Sequence, residues 1–327
     1  MTGMNFAKIA VAMGALCSLC TLSPAPVSAQ AYPNRPIRMI VPLAAGGGTD
    51  ILARAMAQKM SELHAQPVVV ENRPGGGTVI AAELAAKSPP DGYTLYVSSP
   101  TIVINHGLHA KLPYDAIRDF AAVSQWVSFS NILVVHPSLP VNSVRELIAY
   151  AKARPGQINY ASAGNGSTPH LGMELLKTMA GIDLVHLPYK GSAPAMADLL
   201  GGRVSLMLGA GATSTPQVKS GKLRALAVSG ASRSPLNPDL PTIAESVPGY
   251  DSSVWIGLFV PAGTPKDIID KLYGSVSAIL KMPNVRERLL AQEMEPVGST
   301  PEQFSRLVRS DLEKWLKVIK TANVKVD

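Results

Sequence analysis

Arg38-Met39-Ile40-Val41-Pro42-Leu43-Ala44-Ala45-Gly46-Gly47-Gly48-Thr49-Asp50 is a short apolar run, a glycine-rich loop and the start of a helix. The apolar residues Leu52, Ala55, Met56, Met60 and Leu63 follow at helical spacing, and Asp50 is expected to cap the helix they form. The same unit recurs along the chain. Val68–Val70 reads as a strand, followed by Gly75-Gly76-Gly77 and a helix over 79–87. Tyr93–Ser98, Ile132–Val135 and Ile158–Ala161 read as strands. So do Leu184–Leu187, Val204–Leu208, Leu223–Val228 and Trp255–Val260. Ser143-x-x-Glu146 and Thr300-x-x-Gln303 are capping signals for two more helices, and Gly181 is the expected stop of a helix ending at Ala180. Continuous apolar strands alternating with helices predict an α/β fold with mainly parallel sheets covered on both faces.

The length of 327 residues suits two domains better than one. The chain is expected to cross between two sheets near 128–136 and again over 229–255. The second stretch carries Pro235, Pro238, Pro241 and Pro248, as a linker does. Residues 32–131 plus 250–327 then form one domain and 132–249 the other.

Residues 1–31 read as a targeting segment rather than as fold. Lys8 is their only charged residue; Ile9–Leu22 is apolar, and Val27-Ser28-Ala29-Gln30-Ala31 supplies small residues for cleavage. Cys17 and Cys20, the two cysteines of the chain, both fall in this segment, so the mature chain has no disulfide, zinc thiolate or cysteine nucleophile. Cleavage leaves 29 basic against 23 acidic residues. The basic residues are scattered, which excludes a nucleic-acid patch and favours a mild field for small anions.

Two glycine-rich loops carry the chemistry. Residues 42–50 lack the third small residue of a dinucleotide fingerprint and the Lys-Ser/Thr of a P-loop. The second loop, Tyr160-Ala161-Ser162-Ala163-Gly164-Asn165-Gly166-Ser167-Thr168-Pro169-His170, also lies between a strand and a helix. Both offer free N–H groups at a helix start, and neither holds Lys or Arg. A carboxylate held by backbone amides, hydroxyls and water fits such a pair, and the loops are expected to face each other across an inter-domain cleft. The expected donors are Gly46, Gly47, Gly48 and Thr49 from one side. Ala163, Gly164, Asn165, Gly166, Ser167 and Thr168 contribute from the other. Asp50 fixes the first helix start, and Ser98, Ser99, Tyr189 and Thr213 are further candidates at strand ends.

Catalysis finds little support. Gly164-Asn165-Gly166-Ser167 is not a nucleophile elbow. Ser167 and His170, three apart at one helix start, are expected to cap and pack. His106-x-x-His109 has no acidic or cysteine partner, and both histidines are expected in a solvated loop. No catalytic residue, metal or cofactor is expected. An exported α/β hydrolase and a ligand sensor read by a membrane partner are the competing functions.

Ten ordered motifs carry a resemblance to a known family. They run from Tyr32-Pro33-Asn34-Arg35-Pro36-Ile37 through the first loop and Val69-Val70-Glu71-Asn72-Arg73-Pro74-Gly75. Pro90-Asp91-Gly92-Tyr93-Thr94-Leu95, Lys111-Leu112-Pro113-Tyr114-Asp115, Tyr160-Ala161-Ser162 and Pro188-Tyr189-Lys190-Gly191 follow. Gly221 to Val228, Pro238-Asp239-Leu240-Pro241-Thr242 and Pro261-Ala262-Gly263-Thr264-Pro265 complete the series. The chain resembles the Bug family, the solute receptors of tripartite tricarboxylate transporters. The resemblance implies a two-domain periplasmic binding protein of the Venus flytrap type, expected as a monomer. It implies a small carboxylic acid as ligand, anchored by loops 42–50 and 161–170, and large and small membrane subunits as partners. The family's first loop commonly reads Pro-Phe-Pro-Pro-Gly-Gly, whereas this chain has Pro42-Leu43-Ala44-Ala45-Gly46-Gly47. A roomier wall follows, with space for aromatic acids.

Overall fold

A computed structural model of the protein describes residues 32–325. The expected targeting segment, with Cys17 and Cys20, lies outside the described residues. From Arg35 onward the described chain forms one compact unit built on two sheets.

The first sheet has six strands. They are β1 (Ile37–Val41), β2 (Val68–Asn72), β3 (Thr94–Ser98), β4 (Phe120–Phe129), β10 (Val254–Pro261) and the short β11 (Glu295–Pro296), in the order β11-β4-β10-β3-β1-β2. The second has five: β5 (Asn131–Val135), β6 (Asn159–Ser162), β7 (Val185–Pro188), β8 (Leu206–Ala210) and β9 (Arg224–Val228), in the order β7-β6-β8-β5-β9. The chain passes from the first to the second through Ser130 alone and returns over 229–253.

That crossing pattern decides strand direction. β1 is parallel to β2 and β3, and β6 is parallel to β7 and β8. β4 carries the chain out of the first sheet and β10 brings it back, so the two run antiparallel side by side. β5 enters the second sheet and β9 leaves it, and they too are antiparallel. The sheets are therefore mixed, where the apolar runs suggested mainly parallel ones. A strand buried on both faces has the same composition in either direction. Where the chain crosses, it is stapled to itself. Asn131 N–H donates to Ser229 Oγ (2.9 Å), Ser229 N–H to Asn131 O (2.8 Å) and Ser252 N–H to Ser229 O (2.9 Å).

The helices cover the sheets. α1 (Gly48–His64), α2 (Val79–Ala86) and α3 (Thr101–Leu108) follow the first three strands. α4 (Val144–Lys152), α5 (Thr168–Ala180), α6 (Ser192–Leu200) and α7 (Gly211–Lys219) alternate with the strands of the second sheet. α8 (Lys266–Leu280), α9 (Pro283–Leu290) and α10 (Pro301–Thr321) complete the chain. The capping signals act as expected: Glu146 N–H donates to Ser143 Oγ, and Thr300 and Gln303 form a reciprocal capping box. α3 and β4 had no counterpart in the sequence reading.

α10 buries Phe304, Val308, Trp315 and Ile319 and packs against α3 and β4, reaching α5 beside the other sheet. The Trp255 indole donates to the Asp311 carboxylate at 2.7 Å, both groups buried. An unpaired indole N–H or carboxylate would be expensive in that core, so the bond sets the seat of α10 on β10.

Candidate functional site

The first loop is held from behind by a charged network. Asp50 is buried and its carboxylate accepts from Gly46 N–H (2.9 Å), Arg54 Nε (3.0 Å) and Asn72 Nδ2 (2.8 Å). Asn72 Nδ2 also reaches Leu43 O at 2.9 Å, and Arg54 Nη2 donates to Asn72 Oδ1. Burial works to raise the Asp50 pKa. The bonds from Arg54, Gly46 and Asn72 outweigh it and hold the carboxyl below its ordinary value. Asp50 is thus committed to the loop. It is also not the N-cap: α1 starts at Gly48 with Gly47 as its cap, three residues earlier than the sequence suggested, after the chain turns at Gly46 (φ +85°). The amides of Gly48, Thr49 and Asp50 then form the open end of the helix, with no protein acceptor among the described residues.

The second loop is self-bonded. Ser167 caps α5: its Oγ accepts from His170 N–H and donates to Gly164 O at 2.7 Å. Gly164 sits at φ +128°, and a Cβ there would lie 3.1 Å from Tyr189 O, so only glycine fits without movement. Ser162 Oγ accepts from Gly164 N–H at 3.1 Å. Gly166 N–H donates to His170 Nδ1 at 3.0 Å. Of the amides expected to donate outward, those of Gly164, Gly166 and Ser167 are therefore spent within the loop, the last on Gly164 O at 3.2 Å. Among the described residues, the amides of Asn165 and Thr168 have no protein acceptor.

A cleft of about 680 Å³ lies between the two sheets. Ala163, Asn165, Gly166 and Ser167 line it from the second sheet's side. Leu43, the Gly76-Gly77-Thr78 turn, Thr101, Asn105, Leu108 and His109 face them. Gly48 and Thr49 instead open onto a second hollow of about 280 Å³, opposite Ala210, Gly211 and Ala212. The two loops thus stand on opposite sheets, at the carboxyl ends of β1 and β6, where open α/β sheets place ligands. The side-chain candidates fare differently. The Ser98 hydroxyl is buried near Tyr96 OH and Ser99 bonds Thr101, so neither lines the cleft. The Tyr189 hydroxyl donates to Asp198, and that of Thr213 to Ala210 O.

Several lining residues escaped the sequence reading. Asn105 is buried on α3 and donates to Gly77 O (3.0 Å) and toward Thr78 Oγ1 and Tyr114 OH (both 3.3 Å). It fixes a third glycine turn against the cleft. The only signal was Gly75-Gly76-Gly77, already visible as a strand–helix connection. The two histidines expected in a solvated loop are on and beside α3. His106 Nε2 accepts from Ala116 N–H at 3.0 Å, whereas His109 ends the helix and lines the cleft. Among the described residues lining it, His109 is the one titratable group, and Lys and Arg are absent.

Two sheets joined at a double crossing, with amide-bearing turns of both opening on the gap, define a two-lobed solute-binding receptor. The comparisons agree. The family of tripartite tricarboxylate transporter family receptors matches residues 52–324. BugT of Bordetella pertussis is 37% identical over 326 residues, covering 99% of this chain and all of that protein. Among solved structures, R. palustris Rpa4515 with adipate is 40% identical with a TM-score of 0.78 and covers 90% of this chain and 100% of that one. MatC from Rhodopseudomonas palustris with bound malate is 32% identical with a TM-score of 0.74 and covers 88% and 100%. The chain belongs to the Bug family of tripartite tricarboxylate transporter receptors, a family of solute receptors rather than enzymes.

Proposed function

We propose that this chain is a periplasmic, monomeric receptor that captures a small carboxylic acid between two lobes and delivers it to the large and small membrane subunits of a tripartite transporter. Residues 32–131 plus 250–327 form one lobe and 132–249 the other. The observation that carries the reading is that both sheets present amides which, among the described residues, have no protein acceptor: Gly48 and Thr49 toward the hollow of about 280 Å³ and Asn165 toward the cleft of about 680 Å³. Oriented N–H groups at helix starts favour an anion. In the larger cleft, a described lining with His109 as its one titratable side chain suits a carboxylate held reversibly, with water filling the remaining volume. Each lobe alone offers half of the donors, so the acid binds the closed form best and shifts the population toward it.

The relatives bound to adipate and malate support a diacid, and Leu43 in the first loop supports a ligand with an apolar or aromatic end. Thermal-shift screening of carboxylic acids, including adipate, malate and benzoate, tests the reading. A true ligand at a hundred times its Kd adds about 2.7 kcal/mol of stability and is recovered unchanged. Failure of every acid to stabilise the protein, or conversion of the acid into product, overturns it.

A further inference from the structure

The second loop rests on two stacked histidines. The His170 and His186 rings lie 3.8 Å apart and within 8° of parallel, and Tyr160 stacks on His186 at 4.9 Å. Each ring holds one end of the loop. His170 Nδ1 accepts from Gly166 N–H at 3.0 Å, and His186 Nε2 lies 2.6 Å from Ser162 Oγ, which in turn accepts from Gly164 N–H. A backbone N–H can only donate, so His170 Nδ1 must be unprotonated in this arrangement. A proton there would set two donors against each other. A proton on each ring would stack two cations face to face.

Glu174 accepts from Tyr160 OH at 2.5 Å and from Lys177 Nζ at 2.8 Å, so its carboxylate is already engaged. Lys177 also lies over the Tyr160 ring. Together, Glu174, Lys177 and Tyr160 are the ionisable neighbours of the pair. Burial, then His186 and Lys177, hold His170 down to about 3. Burial holds His186 down to about 4, with Glu174 opposing and Lys177 assisting.

We propose that His170 and His186 form a proton-sensitive clamp on the second loop, which keeps its cleft-facing shape only while His170 is neutral. His170 is a positioning residue that acts through Gly166. Protonation frees the Gly166 amide and releases the turn that presents Asn165 and Ser167 to the cleft. The consequence for ligand rests on the receptor reading above, but the clamp itself does not.

The test therefore needs no ligand. In ¹⁵N-labelled protein titrated from pH 7.5 to about 3, the Gly166 amide resonance is expected to move with the same midpoint as the His170 ring nitrogens, well below the ordinary histidine value. His186→Phe keeps a stacked ring but removes the competing charge, and is expected to raise that midpoint by on the order of 1 unit. His170→Gln, which retains a neutral acceptor, makes the Gly166 resonance independent of pH in that range. A His170 midpoint near 6.5, or a Gly166 amide indifferent to the His170 titration in the unsubstituted protein, overturns the clamp. If the clamp titrates as expected and no carboxylic acid binds, the receptor reading fails and the clamp stands.

Discussion

Asp50 is the residue on which the first loop depends, and Asp50→Ala measures that dependence. Its carboxylate accepts three hydrogen bonds, from Gly46 N–H, Arg54 and Asn72. The Arg54 bond counts least, because that side chain is half exposed and its ion pair is screened. The other two join a buried carboxylate to a backbone amide and a side-chain amide, and bonds to charged groups are worth about 1.5–3 kcal/mol each. Gly46 is exposed and recovers a water partner, so its share falls toward the lower end. The expected loss is about 2–4 kcal/mol. Asp50→Asn keeps one acceptor oxygen and places a second donor against Gly46 or Asn72, for a loss of about 1–2 kcal/mol. Urea unfolding at pH 7 reads both, with an unchanged m-value showing that stability rather than compactness has moved. The first loop would loosen with the network, so affinity for a bound acid falls in both variants. A loss under about 0.5 kcal/mol for Asp50→Ala, within the range of ordinary surface substitutions, refutes the view that this carboxylate pins the loop.

Ser167→Ala removes the α5 cap and should lower stability by about 1 kcal/mol; because Ser167 also lines the cleft, calorimetry with an acid that the thermal-shift screen identifies should show weaker binding. Gly47→Val is built on an exposed residue with ordinary backbone angles, so the melting temperature should stay nearly unchanged while acid affinity drops. Unchanged affinity in both variants removes the two-loop site. The depressed His170 pKa means that the unfolded chain takes up a proton near pH 6.5 while the folded chain resists until about 3. Stability from this group is complete above the unfolded value and is lost as pH falls below it. Between pH 7 and pH 5 the loss is up to about 2 kcal/mol, and urea curves of His170→Gln at the two pH values should show that much less change.

Most helices and strands other than α3 and β4, the capping residues Ser143, Ser167 and Thr300, and both glycine loops were legible in the sequence, because each depends on neighbours within a few residues. Periodicity exposes a buried face, and a cap bonds an amide two or three positions ahead. The same local logic placed Ser167 and His170 in packing rather than catalysis. What escaped was everything settled at long range. The direction of β10 follows from its return out of the other sheet, which no pattern within β10 records. Asp50 reads as a cap until Asn72, 22 residues away, and the turn at Gly46 give its carboxylate another task. Gly166 reads as a free donor until the His170 ring folds back on it, and Asn105 reads as nothing until the Gly77 turn arrives beside it. The amino-acid order by itself determined most strands and helices and both glycine turns; the tertiary structure decided strand direction, the place of α3 and β4, and which amides stay unspent, because these depend on partners brought together only when the two sheets fold.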